Sequence, residues 1–202
     1  MCGRYYVDDD TAREIEKIVR QVDEQMSRIK TGDIGPSETA PVLMTDGKQI
    51  SVGLQKWGFP GFDRNQSGRT DASGKLLINA RAESAMEKPT FRDKMARHRI
   101  VIPAASFYEW NSRKEKNVFS RCDGDMLFMA GCYGKYQDGD RFVILTTAAN
   151  ESMKPVHDRM PLILERDEVE DWLRDEKRAM EILLKEPARL NRKTEYEQLS
   201  LF

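Results

Sequence analysis

Apolar residues recur at helical spacing near both ends of the chain. The first set predicts a helix that Asp10 caps and that runs to about Ile29, before Gly32 ends it. Its apolar positions are Ile15, Ile18, Val19, Val22 and Met26. The second set predicts a helix over residues 167–185. We expect its buried face to comprise Val169, Trp172, Leu173, Met180, Leu183 and Leu184.

Shorter apolar runs, bounded by turn-forming residues, fill the chain between these helices. They predict strands at residues 1–7, 41–44, 50–54, 76–79, 99–108, 126–133, 142–147 and 161–164. The pair Asp46-Gly47 predicts a hairpin between the second and third of these strands. Residues 81–97 predict two short helices broken at Pro89. The polar, glycine-rich residues 57–74 predict a long loop.

Strands in the centre and helices at both ends indicate an α+β fold. We predict a single compact domain over residues 1–190, with a mainly antiparallel β-sheet or barrel core and flanking helices. The polar residues that follow predict a flexible C-terminal tail over residues 191–202. The protein is expected to be a monomer.

The composition narrows the class of protein. A chain of 202 residues with 39% hydrophobic and 33% charged residues can bury one core beneath a charged surface. It lacks an apolar segment of membrane-spanning length and a basic-then-apolar leader, so a cytoplasmic protein without a membrane partner is predicted. Its three cysteines show no ligand spacing, so we predict neither a disulfide framework nor a metal site, and no cofactor.

The net charge of −1 hides an uneven distribution of charge. Residues 91–99 carry four Lys or Arg side chains against one acid, and residues 111–121 carry four against one. Taken alone, such runs are more typical of solvated faces. They also suit contact with nucleic acid, which an overall charge near zero does not exclude.

The chain opens with Met-Cys-Gly-Arg, and the small side chain of Cys2 predicts removal of Met1. Cys2 would then carry an α-amine and a thiol on adjacent carbons, with unperturbed pKa values of roughly 7.7–8.0 and 8.5. An aldehyde would form an imine with the amine, and the thiol would close a thiazolidine ring. An ordinary small apolar residue near a frayed terminus explains the same tripeptide.

Three further polar side chains lie beside predicted strands. Asn79 follows a strand end, Glu109 ends an apolar strand among aromatic residues, and His157 precedes a strand beside an acid and a base. Such positions suit general acid and base work in a cleft. Each also has a simpler explanation: a helix cap, a surface carboxylate and a local ion pair.

Six motifs follow one another in a fixed order. They are Met-Cys-Gly-Arg, Trp57-Gly58, Asn79-Ala80-Arg81-Ala82-Glu83, Ile102-Pro103-Ala104 leading to Phe107-Tyr108-Glu109-Trp110, Thr146-Thr147-Ala148-Ala149-Asn150, and His157-Asp158-Arg159-Met160-Pro161. In this order they resemble the SOS-response-associated peptidase (SRAP) family of abasic-site processing proteins. The resemblance spans Cys2 to about Trp172.

The resemblance implies a β-rich fold with a cleft for single-stranded DNA that carries an abasic site. Cys2 would be the covalent nucleophile that forms a thiazolidine crosslink and protects the site during replication and the SOS response. Asn79 would hold the N-terminus and the opened sugar, and Glu109 would be the general acid and base. His157 would move protons at the aldehyde oxygen.

The resemblance also implies DNA contacts. Arg4, Arg81 and Arg159 would hold phosphates, where charge-assisted hydrogen bonds are strong. Trp57 and Phe59 would stack on bases or wedge the strand. Autoproteolysis ahead of the cysteine and abasic-lyase activity are further family expectations, although only Met1 precedes Cys2 here.

The chain departs from the family pattern at two places. Gly35-Pro36-Ser37-Glu38 stands where the family usually has Ala-Pro-Thr-Gln, and Phe59 follows Trp57-Gly58 where an aliphatic pair is expected. Both departures fall in the expected DNA-contacting loops.

The chain ends Gln198-Leu199-Ser200-Leu201-Phe202, which resembles the peptide by which bacterial proteins dock on the replication sliding clamp. A polar Gln198 and an apolar Leu201-Phe202 pair suit a tethered peptide that fills a pocket. The clamp is therefore a predicted partner, and replication forks at the nucleoid a predicted location. The same apolar residues could instead fold back on the domain as a terminal strand.

Three other functions compete with the crosslinking enzyme. An N-terminal-nucleophile amidohydrolase also begins Met-Cys-Gly, but it would need a Gly-Asn-Gly-Asp-like loop that the sequence lacks. A clamp-tethered single-strand-binding adaptor would leave Cys2 inert. A purely proteolytic Cys-His enzyme would leave the free N-terminal amine unexplained.

Overall fold

Thirteen strands and five helices make up the part of the chain that the computed structural model describes, residues 2–19, 29, 31–61 and 76–194. The strands are β1 (Arg4–Val7), β2 (Gly32–Ile34), β3 (Thr39–Thr45), β4 (Ile50–Trp57), β5 (Asn79–Arg81), β6 (Arg99–Ala104), β7 (Ser106–Trp110), β8 (Lys116–Arg121), β9 (Leu127–Tyr136), β10 (Gly139–Ala148), β11 (Arg159–Pro161), β12 (Ile163–Leu164) and β13 (Leu190–Thr194). The helices are α1 (Asp9–Ile18), α2 (Ala82–Ala85), α3 (Pro89–Arg97), α4 (Glu168–Arg174) and α5 (Glu176–Leu183). None of these helices is long and apolar enough to cross a membrane.

A small barrel of five strands lies at the centre of the fold. Strands β4, β3, β6, β9 and β10 pair in that order, and β10 returns to β4 to close the ring. The closing β4–β10 pair is parallel and the others are antiparallel. Strands β5 and β11 extend the barrel along β10, and β12 extends it along β9.

A second sheet of five antiparallel strands packs against this barrel, in the order β13-β8-β7-β1-β2. Its strand β1 alternates buried and exposed side chains, as is typical of a sheet with one covered face. In β1, Tyr5 and Val7 are buried, whereas Arg4 and Tyr6 are exposed. The covered face therefore carries Tyr5 towards the barrel.

Each barrel strand contributes alternate residues to two cores. Ile100 and Ile102 of β6 belong to a core shared with the second sheet and with Cys2. Val101 of the same strand belongs to a core shared with the helices, including Trp172 of α4. The second sheet and the helices thus cover the two sides of the barrel wall.

The predicted α+β class with a mainly antiparallel barrel is confirmed, and so is the hairpin at Asp46-Gly47, which joins β3 and β4. Two short helices separated before Pro89 are also confirmed, and Pro89 occupies the first turn of α3. Trp57–Gly58 proved less irregular than predicted, because β4 continues to Trp57 and residue 59 bridges Leu77. Residues 62–75 of the predicted loop lie outside the described part of the chain.

The predicted start of the first helix is wrong. Asp8, not Asp10, is the N-cap, and its carboxylate accepts hydrogen bonds from the backbone N–H and the hydroxyl of Thr11 at 2.7 Å. Gly32 lies in β2 with a φ of 104°, which glycine adopts without strain. Helix α1 is described to Ile18, and the remainder of the predicted helix falls mainly on residues that are not described.

The predicted C-terminal helix is two helices. Asp175 breaks it and caps α5, because its side chain accepts the Arg178 N–H at 3.0 Å. Because of the break, the side chains of α5 point in other directions than they would in one continuous helix. Met180 is consequently 41% exposed and Leu184 is 82% exposed. Both residues had been predicted to be buried.

The sequence patterns do not predict three of the strands, β2, β8 and β13, and two predicted strands are each divided. Residues 99–108 form β6 and β7, which belong to different sheets and separate at Ala105. Residues 159–164 likewise form β11 and β12. Strands β8 and β13 are rich in charged and polar residues, which conceals their alternation. Residues 191–194 consequently belong to the sheet rather than to the predicted tail.

The position of β13 makes a prediction about where the folded domain ends. Leu190 is 6% exposed and pairs with Arg121 of β8. We expect Leu190→Ala to lower the free energy of unfolding by about 2 kcal/mol, measured by urea denaturation. Lys193→Ala, at an exposed position of the same strand, should change it by less than about 0.5 kcal/mol. Equal stability of both variants would show that the domain ends before this strand.

Candidate active site

Cys2 lies directly before β1, in the core between the second sheet and the barrel. Its side chain is 1% exposed, and its Sγ donates a hydrogen bond to the carbonyl oxygen of Arg4 at 3.6 Å. Burial, together with the smaller effect of the nearby charge of Glu109, raises the pKa of Cys2 to about 12. Cys2 therefore holds a neutral thiol at physiological pH.

Asn79 fixes the main chain at Cys2. It begins β5, which runs parallel to β10, and its Nδ2 donates to the Cys2 carbonyl oxygen at 3.0 Å. Its Oδ1 is buried and has no hydrogen-bond partner among the described residues. Since a buried acceptor without a donor costs free energy, this oxygen is suited to a group that arrives later.

Glu109 lies in β7 and is 6% exposed. Its neighbours in sequence, Tyr108 and Trp110, project to the other side of the sheet, because side chains alternate along a strand. Glu109 thus faces the same core as Cys2, and its charge acts on the thiol. Burial and this charge both disfavour the Cys2 thiolate, so a local base has to accept the thiol proton before the sulfur can react.

His157 is held by its own segment, immediately before β11. Its Nδ1 lies 2.9 Å from the backbone nitrogen of Arg159 and 2.8 Å from an Asp158 carboxylate oxygen. The neutral ring accepts the Arg159 N–H at Nδ1, which leaves the ring proton on Nε2. These contacts at Nδ1 fix the position of the His157 ring.

Strand β10 pairs on its two edges with the strands that carry Asn79 and follow His157. Arg81 of β5 pairs with Thr146, and Pro161 of β11 pairs with the same residue from the other edge. Asn79 itself pairs with Ile144, and His157 precedes Arg159, which pairs with Ala148. Sequence order alone does not bring these segments together.

The three predicted phosphate ligands differ in availability. Arg4 is about half exposed and lies 3.7 Å from an Asp33 carboxylate oxygen. Arg81 is exposed at the end of β5. Arg159 is 15% exposed and forms a bidentate ion pair with Glu83, at 2.6 and 2.8 Å. Arg4 and Arg81 are open to an anion, whereas Arg159 already joins β11 to α2.

Base stacking by Trp57 and Phe59 is contradicted, since both side chains are fully buried. The Trp57 Nε1 donates to the Ile78 carbonyl at 2.8 Å, and its ring stacks on Phe142 with an interplanar angle of 5°. Phe59 packs against Phe91 and Tyr136, with ring centroids 6.1 and 5.5 Å away. Both aromatic rings belong to the core.

The exposed aromatic residues of the second sheet were missed. Tyr6 is 36% exposed and Trp110 is 40% exposed. Tyr6 alternates with buried Tyr5, and Trp110 alternates with buried Glu109. The alternation of the two strands could have identified them, once Cys2 and Glu109 were assigned to one face.

Two other expectations concern a metal ion and the sliding clamp. Among the described residues, no cluster of three or more His, Cys, Asp or Glu side chains could hold a metal ion. The predicted clamp peptide, Gln198-Leu199-Ser200-Leu201-Phe202, lies outside the described residues.

The comparisons with known proteins agree on one family. A family model described as SOS response associated peptidase (SRAP) matches residues 1–200. The abasic site processing protein YoaM of Bacillus subtilis is 35% identical over 151 residues, which are 70% of this chain and 64% of that protein. YoqW of the same organism is 32% identical over 184 residues, 86% of this chain and 80% of that protein. YedK of Escherichia coli is 27% identical over 188 residues, covering 87% and 81%.

Solved structures share the fold. A protein from Bacteroides thetaiotaomicron superposes with a TM-score of 0.78 at 21% identity, covering 96% of this chain and 91% of that one. A protein from Bordetella bronchiseptica superposes with a TM-score of 0.75 at 25% identity, covering 96% and 99%.

The burial of Trp57 predicts a structural rather than a DNA-binding phenotype. Trp57→Phe removes the Nε1–H donor and leaves the buried Ile78 carbonyl without it. We expect a loss of about 1–3 kcal/mol in the free energy of unfolding, measured by urea denaturation. Affinity for undamaged single-stranded DNA, measured by fluorescence anisotropy, should stay within about twofold. Unchanged stability with weakened DNA binding would restore the stacking role.

Proposed function

Because the chain belongs to the SOS response associated peptidase family, we propose that it processes abasic sites in single-stranded DNA by a covalent crosslink through Cys2. The observation that carries this proposal is the Asn79 side chain held against the Cys2 carbonyl, with Glu109 acting on the buried thiol. After removal of Met1, this arrangement would present an amine and a thiol of one residue beside a carboxylate.

The first step is imine formation. Glu109 assists opening of the sugar to its aldehyde, and the Cys2 amine attacks the aldehyde carbon. A C=N double bond forms as the C=O bond breaks, the nitrogen gives up its two protons, and the former carbonyl oxygen takes up two protons and leaves as water. His157 would relay one of these protons from the nitrogen to the oxygen. The Asn79 Oδ1 would accept a hydrogen bond from the amine or from a sugar hydroxyl.

The second step is ring closure. The Cys2 sulfur bonds to the imine carbon, and the electron pair of the C=N bond moves to the nitrogen. The thiol proton passes to Glu109 and from there to that nitrogen, so that protons and charge balance. A local base is needed because the thiol, with its pKa raised to about 12, is neutral in water near pH 7. Slow reversal through the same Glu109 would release the DNA.

The DNA would lie across the exposed face of the second sheet. Arg4 lies two residues after Cys2, and Arg81 lies two residues after Asn79, which bonds to the Cys2 carbonyl, so both guanidinium groups would hold phosphates near the nucleophile. Tyr6 and Trp110, rather than the buried Trp57 and Phe59, are the aromatic side chains exposed for base stacking. Arg159 would contact a phosphate only by giving up Glu83.

Cellular context follows from the same proposal. Autoproteolysis would free the Cys2 amine, and lyase activity would compete with the stable crosslink. A cytoplasmic monomer acting at replication forks would meet abasic sites when DNA is single-stranded. The terminal Gln198–Phe202 peptide would deliver it to those forks through the sliding clamp.

The decisive test uses an oligonucleotide with one abasic site and denaturing gel electrophoresis with intact mass. The Met1-processed wild type should give a heat-stable adduct, and Cys2→Ala should give none. Cys122→Ala removes an exposed free cysteine and should leave the adduct unchanged. Glu109→Gln should slow formation by about 100-fold, the range of general acid and base catalysis.

The competing functions give different outcomes. Binding without any adduct, unaffected by Cys2→Ala, would identify a single-strand-binding adaptor. Absence of DNA binding together with glutamine hydrolysis that depends on Cys2 would identify an amidohydrolase. Either result would overturn the crosslinking function.

The tail makes a separate prediction. A purified bacterial sliding clamp should bind the full chain, and the double variant Leu201→Ala/Phe202→Ala should weaken that binding by at least about 10-fold in isothermal titration calorimetry. The double variant should form the DNA adduct at the wild-type rate. Equal clamp affinity of both proteins would contradict the docking role of the tail.

A further inference from the structure

Tyr5 is the most deeply buried polar side chain near the nucleophile. It lies in β1, three residues after Cys2, and its side chain is 0% exposed. Its ring packs at a tilt on Trp57, with centroids 5.3 Å apart. Its hydroxyl has no hydrogen-bond partner among the described residues.

A buried hydroxyl without an acceptor destabilises the folded state, and phenylalanine would fill the same space without that cost. Packing alone therefore does not explain why this position carries a tyrosine and not a phenylalanine. A group that becomes an acceptor only during the reaction would supply one, because its absence before the reaction leaves the hydroxyl unpaired.

Two acidic groups lie within electrostatic reach of this hydroxyl. After burial, the charges of Cys2 and Glu38 contribute most to holding the pKa of Tyr5 well above its usual value. The Glu38 carboxylate already accepts the Gly35 N–H at 2.6 Å. The Cys2 thiol makes only a long contact, to the carbonyl of Arg4 that adjoins the Tyr5 nitrogen. Of the two groups, the sulfur is the one whose hydrogen bonding changes during ring closure.

We propose that the Tyr5 hydroxyl donates a hydrogen bond to the Cys2 sulfur as that sulfur loses its proton and bonds to the imine carbon. This inference rests on the proposed crosslinking function. Negative charge develops on the sulfur while the thiol proton moves to Glu109, and a fixed donor at that point stabilises the charge. Tyr5 keeps its own proton throughout, so the balance of the step is unchanged.

The role of Tyr5 differs from that of Asn79 and Glu109. Asn79 holds the main chain of Cys2, and Glu109 exchanges protons. Tyr5 would act on one atom in one step, ring closure, and would leave imine formation at the amine untouched. This separation allows the two steps to be tested independently.

The test compares Tyr5→Phe with wild type on a single-stranded oligonucleotide bearing one abasic site. Borohydride added at early times traps the imine, whereas the thiazolidine forms without borohydride. We expect the rate of borohydride-independent adduct to fall by about 10-fold or more, and the trapped imine to accumulate to a higher level. The midpoint of thermal unfolding should be unchanged or higher, because the unpaired hydroxyl is gone.

Tyr133→Phe is the matched control, since it removes the hydroxyl of another buried tyrosine of the same core, on β9. It should change neither rate. A Tyr5→Phe variant with the wild-type rate of ring closure overturns the inference. So does a variant that loses stability and slows both steps equally, which indicates a structural role.

Failure of the inference and failure of the function remain distinguishable. If wild type gives no adduct, the crosslinking function is wrong. If wild type gives the adduct and Tyr5→Phe slows imine trapping instead of ring closure, the function stands and the hydroxyl acts on the substrate rather than on the sulfur.

Discussion

The hydrogen bond from the Asn79 side chain to the Cys2 carbonyl joins residues 77 positions apart in the sequence. It fastens the start of the chain to β5, and β5 is itself fixed by its parallel pairing with β10. The N-terminus of a protein usually has more freedom than any internal segment. Here that freedom is removed by one amide and by the pairing of β1 with β7, which also carries Glu109. The site forms only when the barrel and the second sheet are both in place.

Burial is the second constraint on the chemistry of this site. A thiol, a carboxylate and a phenol hydroxyl share one apolar core, where a single unbalanced charge is costly. The site therefore favours reactions in which a proton moves between neighbours and the total charge stays constant. Addition of an amine and a thiol to an aldehyde meets this condition, because the products are neutral and no metal or redox partner enters the balance.

The sequence is sufficient for the class of fold and for the family, and insufficient for the surfaces. Apolar runs predict the barrel strands, but β8 and β13 pair through backbone hydrogen bonds while their side chains are largely charged or polar. The family resemblance assigns Trp57 to DNA contact, but its ring fills the core, and Gly58 follows the strand with a φ of 109°. The sequence also does not show whether an arginine is accessible to DNA, because the ion pair of Arg159 with Glu83 depends on how β11 packs against α2.

The exclusion of Cys2 from solvent has a chemical consequence for its survival in the cell. Peroxides oxidise the thiolate form of cysteine and need access to the sulfur. A sulfur that is 1% exposed and held as a thiol by a pKa of about 12 offers neither. Exposed Cys122 meets the oxidant first. Conditions that oxidise DNA would thus spare the residue on which the proposed repair of that DNA depends.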